Sequence, residues 1–313
     1  MHAIISTKNR GSDLRKRLWQ HREVYLFILP AVLWFFVFCY LPMYGLLIAF
    51  KDYRYSRGIL GSAWVGTKWF SRFLSDNTFW NAFTNTLRIS ITRLVLGFPA
   101  PIIMALMINA VRNRQYKRAV QTISYLPHFI SWVVVAAMVY KILSPYQGLF
   151  NELRRMINPA AEPIFYMGQE HLFLPMLIIT SLWKETGWNS IIYLAAITNI
   201  DPQLYEAADI DGARGYQMTW FITLPCMLPT IGVLLILSLG GILNAGFEQI
   251  LLLQTSATVR VSEVLDTYVL HRGILQGNHS YSTAVGMTKS VITMALIIIV
   301  NRISRRTMEV SLW

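Results

Sequence analysis

Charge is scarce in this chain of 313 residues. Only 14% of them are Asp, Glu, Lys or Arg, while 54% are hydrophobic. A soluble domain carries about 25% charge, so an ordinary water-soluble globule is excluded, and the mean hydropathy of +0.42 points the same way. Cysteine is scarcer still. Cys39 and Cys226 are the only two, both in apolar stretches, which excludes a disulfide scaffold and predicts inert packing residues. A GxxxxGK[ST] phosphate cradle is missing, so ATP is not bound by that route. HExxH, GxSxG and any Cys/His ligand cluster are missing too, and the histidines (His2, His21, His128, His171, His271, His279) are scattered. A metalloprotease or an intramembrane serine hydrolase therefore has no signature here. Repeats, low-complexity tracts and dividing linkers are absent. Aromatics are plentiful, with 10 Trp, 15 Tyr and 16 Phe, which excludes disorder.

What the sequence does have is long apolar runs. A helix needs about 20 mostly apolar residues to cross the bilayer hydrocarbon. Six stretches qualify: Val24–Phe50, about Phe83–Ala110, about Ala119–Leu143, about Leu172–Thr198, about Met227–Leu251 and about Thr283–Val300. The first is too long for a signal-peptide core and is followed by no small-residue cleavage site, so it reads as an uncleaved span. The expectation is an all-α polytopic membrane protein: an N-terminal segment 1–23, a membrane domain 24–300 and a tail 301–313.

Net charge is +12. In a soluble protein that would suggest nucleic acid, but the positions of the charges favour membrane topology. Lys8, Arg10, Arg15, Lys16, Arg17 and Arg22 crowd the N-terminal segment, Arg112, Arg114, Lys117 and Arg118 the short loop after span two, and Arg302, Arg305 and Arg306 the tail. The opposite loops 51–80, 144–170 and 252–282 are longer and more sparsely basic. The positive-inside rule puts both termini in the cytoplasm, with the basic segments on anionic lipid rather than nucleic acid.

One loop on the basic side is acidic. Asn199–Pro225 contains Asp201, Glu206, Asp209 and Asp211 against a single Arg214. Asp201 suits an N-cap and Pro202 the first helical position. Leu204, Ala207 and Ala208 share one side of the helix so begun, and Gly212 suits a left-handed C-terminal cap. A second short helix to Thr223 is expected before Pro225 and Pro229 open span five. Acidity argues against a helix lying on the negative inner leaflet and for a docking element that meets a protein partner.

Glu206-Ala207-Ala208, Gly212 after three residues, and Ile222-x-Leu224-Pro225 after nine more resemble the EAA loop of binding-protein-dependent ABC importer permeases. Asp211-Gly212-Ala213 is similar to the carbohydrate importers. The resemblance covers nearly the whole chain. It includes Tyr40–Gly45 and Ala49–Tyr53, Trp183-Lys184-Glu185-Thr186-Gly187-Trp188-Asn189, Gly246-Phe247-Glu248-Gln249 and Ser262–Tyr268, which resemble the subgroup importing complex and acidic oligosaccharides, such as those of alginate and pectin. It implies the type I importer permease fold and a coupling role for Leu204, Glu206, Ala207, Ala208, Asp211 and Gly212. It also implies a second, similar permease, two ATPase subunits that bind ATP and Mg while this chain holds no cofactor, and an extracytoplasmic solute-binding protein. The location implied is a bacterial cytoplasmic membrane.

A sugar path needs aromatic faces and hydroxyl-binding polar groups. Trp183, Trp188, Asn189, Asn244 and Gln249 offer both, although helix packing or an interfacial aromatic belt would also account for them. Lys184, Glu185, Glu248 and Lys289 are ionisable groups in spans, which normally face protein or water. Lys184 and Glu185 point about 100° apart, so no direct pair is expected, one facing the path and the other a neighbouring helix. Lys184 and Lys289 are the cationic candidates for a substrate carboxylate. The rival classes are a secondary transporter or channel, with Lys184 and Glu185 as a proton relay, and a membrane enzyme. The first lacks inverted-repeat broken helices, the second a catalytic constellation.

Overall fold

The computed structural model describes residues 19–307. Most of segment 1–23 and the end of the tail therefore lie outside the described residues. The chain is almost wholly helical. Among the described residues, four helices are long and apolar enough to cross a membrane: α1 (Arg22–Phe50), α2 (Asn77–Ala110), α7 (Gly215–Gly240) and α9 (His279–Thr307). A fifth crossing exists if the bent pair α3 (Arg114–Phe129) and α4 (Trp132–Ile142) counts as one. The expected fourth span is α5 (Glu170–Thr198), whose 29 residues reach about 43 Å, with Lys184 and Glu185 interrupting its apolar run. Among the shorter helices are α6 (Pro202–Ile210) and α8 (Phe247–Leu253).

Span three is not the single rod the sequence predicts. Its two halves meet at 96°. Pro127 cannot donate a backbone hydrogen bond, the chain tightens into a 3-10 turn over Leu126–Phe129, and Ser131 restarts the helix by accepting from Val134 N. Span five is also redrawn. It begins in the acidic loop at Gly215, runs through Pro225 and Pro229, and ends at Gly240. Asn244 then lies in a turn, and Glu248 and Gln249 sit on the separate α8. The distinct second helix expected to Thr223 is thus the first part of α7. In α1, Pro30 sits inside the helix. At Pro42 the ladder loosens through a π turn (Phe36–Tyr40) into a 3-10 stretch (Leu41–Phe50), since the proline leaves the carbonyl four residues earlier without its donor.

The burial pattern is that of a lipid-solvated protein. Nothing in the most apolar stretch of α1 is buried, and Phe27, Phe38 and Leu41 stand exposed. Water would penalise such a surface at about 25 cal/mol per Å²; lipid tails do not. Cys39 and Cys226 are on this outward surface as well, not packed inside as expected. Two clusters form the interior between the helices: Ala105 and Ile108 of α2, Tyr193, Leu194 and Ile197 of α5, and Met227 of α7; and Ile89 of α2, Ala136 and Val139 of α4, Phe173 and Leu177 of α5, and Ile250 and Leu253 of α8.

The end of the bundle where α1 stops is capped by its own loops. Lys51–Asp52 and Ala63–Trp64 form the antiparallel strands β1 and β2, with Lys51 opposite Trp64. Trp69 Nε1 donates to Lys51 O at 2.9 Å. Beneath them Phe73, Phe79, Ala82, Leu265, Tyr268 and Ala284 are fully or almost fully buried.

Candidate functional site: a polar cavity between the spans and an exposed helix at one end

Two places gather the polar residues. The first is a cavity of ≈350 Å³ between α2, α5 and α7. Glu185 and Asn189 of α5 line it, as do Asn244 from the turn after α7 and Ser90 and Arg93 of α2. Trp183, Lys184, Trp188, Glu248, Gln249 and Lys289 do not.

Lys184 and Glu185 correct the sequence reading. Their charged groups lie 3.6 Å apart. The reason is His128, at the break between α3 and α4. Lys184 Nζ donates to the His128 carbonyl, while Glu185 Oε2 meets His128 Nδ1 at 2.8 Å. Both side chains therefore swing toward one residue, and neighbours on the helix become neighbours in charge. Lys184 is buried, with Trp132 under its ammonium; Glu185 is half-buried. Trp188 stacks on the His128 ring, centroids 4.6 Å apart and planes 2° apart. Gly187 makes this proximity possible, since a methyl there would overlap the Ser124 carbonyl of α3.

The other candidates are dispersed. Gln249 is buried and fully engaged: its Nε2 donates to Leu177 O at 3.0 Å and Thr180 Oγ1 at 2.7 Å, and its Oε1 accepts from Arg93. Lys289 is paired with Asp266 at 2.6 Å. Trp183 and Glu248 are exposed on the bundle surface. Sequence reasoning did not single out His128 or Arg93. A Pro-His pair at a span's midpoint was the available signal for the former.

The second place is α6, at the opposite end of the bundle from the strands. As the sequence predicts, Asp201 Oδ1 accepts from Gln203 N at 2.9 Å, Pro202 opens the helix, and Gly212 ends it with φ +75°. Gly212 N donates to Asp209 O at 3.0 Å and Ala213 N to Ala208 O at 2.9 Å, a left-handed cap. No residue of α6 is buried. Leu204, Glu206, Ala207 and Asp211 are exposed and Ala208 half-buried. One side chain ties the helix to the bundle: Tyr205, whose hydroxyl lies 2.9 Å from Thr223 Oγ1 near the start of α7.

An exposed, small-residue helix joining two spans, beside a polar cavity within those spans, defines a membrane transport component. The chain belongs to the family of binding-protein-dependent transport system inner membrane components, whose profile matches residues 97–309. It is 44% identical to the polygalacturonan/rhamnogalacturonan transport system permease protein YteP of Bacillus subtilis (strain 168), over 97% of this chain and 94% of that protein. A bacterial ABC transporter involved in import of the acidic polysaccharide alginate has a chain of the same fold, with TM-score 0.87 and 41% identity over 94% of this chain and 99% of that one. The alginate transporter in complex with an alginate pentasaccharide-bound periplasmic protein gives TM-score 0.87 and 40% identity, covering 95% and 99%. The chain is therefore the non-catalytic, membrane-embedded permease of an ABC transporter.

Proposed function

We propose that this permease forms half of the pore of an ATP-driven importer for acidic oligosaccharides, with a second, similar permease as the other half. It crosses the membrane six times, α5 and the α3–α4 pair counting once each, with both termini in the cytoplasm. A solute-binding protein hands substrate to the capped end formed by residues 51–80, 144–170 and 252–282. Two ATPase subunits, which hold the ATP and Mg, grip α6 and drive the dimer between inward- and outward-open states. Leu204, Glu206, Ala207, Ala208, Asp211 and Gly212 form the coupling joint.

The observation that carries this reading is α6. It is capped at both ends, has no buried residue, and is continuous through Gly212 with α7, so a push on it reaches the spans. The acidic substrate is supported by the kinship with proteins named for polygalacturonan and alginate. The test is reconstitution of both permeases, the ATPases and the binding protein in vesicles. Oligogalacturonates should stimulate ATP hydrolysis and enter, and both should stop when the ATPase is disabled. Uptake that survives a dead ATPase and follows an ion gradient would establish the secondary-transporter reading instead. Tight capture of a neutral oligosaccharide, with none of uronate oligomers, would reject the acidic substrate.

A further inference from the structure

Arg93 is the cavity-lining charge with no partner at ion-pair distance. Glu185, on the facing wall, acts on it only from farther away and is itself engaged by His128 and Lys184. No described carboxylate lies within ion-pair distance of Arg93. A guanidinium stays protonated, and an uncompensated charge inside a membrane is costly enough that those present serve a function by default.

Its surroundings hold the group in place without neutralising it. One Nη donates to the Gln249 amide oxygen, itself fixed because the Gln249 amide nitrogen is spent on Leu177 O and Thr180 Oγ1. The guanidinium lies against Gly246, where any Cβ would collide with it; Gly246 is also left-handed, φ +84°. Arg93 Nε is buried with no hydrogen-bond partner, and so is Ser90 Oγ one turn earlier. A guanidinium held in place by Gln249 and Gly246, lining the cavity together with Ser90 and the amides of Asn189 and Asn244, is a receptor for a planar anion among hydroxyls.

We infer that Arg93, cradled by Gly246 and Gln249, reads the carboxylate of a sugar acid as it passes through the membrane cavity, with Ser90, Asn189 and Asn244 taking its hydroxyls. This rests on the acidic-substrate reading above and gives it a residue. Selectivity is then exercised twice, by the binding protein and again inside the permease.

The test uses the complete importer in vesicles and a mixture of short oligogalacturonates of graded methyl esterification. Mass spectrometry compares the species loaded on the binding protein with the species imported. The wild type should import free acids in excess of their share on the binding protein. Arg93→Gln should lower free-acid uptake by about tenfold, the factor a charged hydrogen bond supplies, and abolish that excess, while fully esterified species fall far less. Ser90→Asp guards against misfolding. It sets an internal carboxylate three residues before Arg93 on the same helix face, neutralising the charge, so it should assemble normally yet lose the excess.

Equal loss of acids and esters in Arg93→Gln, or an undiminished excess in Ser90→Asp, would overturn the assignment. So would loss of assembly with the second permease at unchanged selectivity, which would mean that a partner carboxylate holds Arg93. A wild type that imports only fully esterified species would reject the acidic reading itself and this site with it. A wild type rich in imported acids, with an equally rich Arg93→Gln, would reject the site alone.

Discussion

The two ends of the bundle are built on opposite principles. At the capped end, side chains and backbone from distant parts of the chain satisfy one another in a buried network. Asp76 caps α2 through Thr78 N and also accepts from Tyr268 at 2.8 Å; Tyr268 in turn bonds Tyr281. Asn85 donates to the carbonyls of Arg260 and Glu263, and Thr86 Oγ1 accepts from Leu265 N. Outside that network, at the surface, Arg260 forks onto Glu170. At the other end, α6 buries nothing and a single tyrosine hydroxyl docks it. Buried polar groups bonded to one another rigidify; an exposed helix held at one point is free to follow whatever covers it. One end is complete in this chain, while the other awaits a partner.

The largest effect should come from breaking the complete end. Tyr268 has no exposed surface, and truncating a buried aromatic costs about 3–5 kcal/mol. Tyr268→Ala should sharply lower the midpoint of heat-induced aggregation in detergent. The same truncation at an exposed loop-end residue, Tyr216, should barely move it. Comparable losses at both ends would erase the distinction.

Gly187→Val comes next. The added side chain must push α3 off α5, and overpacking typically costs about 1–3 kcal/mol. The His128 cluster should open, shown by faster labelling of a cysteine placed at Trp188. A labelling rate equal to that of the unsubstituted helix would show that the close approach is dispensable.

At the open end, Gly212→Val separates folding from coupling. Nothing stands within 4 Å of the position, so the penalty is the positive φ alone, about 1–2 kcal/mol. The permease should insert and keep its stability, while uptake and substrate-stimulated ATP hydrolysis fall together and ATPase association weakens. Glu206→Lys should do the same without any backbone strain. Full coupled uptake at normal ATPase occupancy, in either variant, would remove these residues from the joint.

The contrast also explains what could be read in advance. At α6 every signal is local: the Asp201 cap, Pro202, and Gly212 two residues after the helix ends lie within a dozen positions, and the structure places the helix at the expected residues. The ends of the spans were less legible. α7 continues straight through Pro225 and Pro229, because prolines in a membrane helix are accommodated by local 3-10 and π adjustments, here the π turn Thr219–Thr223. The cavity was least legible. Glu185, Asn189 and Asn244 were identifiable as polar residues in apolar runs. That Lys184 and Glu185 converge depends on His128, more than 50 residues away, and Lys289 is committed to Asp266 of a loop beyond its own helix. Such pairings are tertiary and leave no mark on periodicity.

The smallest effect is a pH dependence confined to the complete end. Partial burial by itself would raise the Asp76 carboxyl. The hydrogen bond from Tyr268, those from Thr78, and the charge of Arg272 outweigh that and hold it below the usual carboxylate range. The group is thus more acidic folded than unfolded. Its contribution to stability is complete above the unfolded value, about 4, and drains away as pH falls through the lower folded value. Hydrogen exchange of residues 265–268 should accordingly quicken below about pH 4, while exchange in α6, which has no such carboxylate-to-tyrosine tie, should show only its ordinary intrinsic dependence. Asp76→Asn keeps an oxygen for Thr78 N but sets an NH2 where Tyr268 donated, so some stability should be lost at neutral pH and the acid-induced step should disappear. An acid step of unchanged size in that variant would place the sensitivity elsewhere and would remove Asp76 from the ties that distinguish this end.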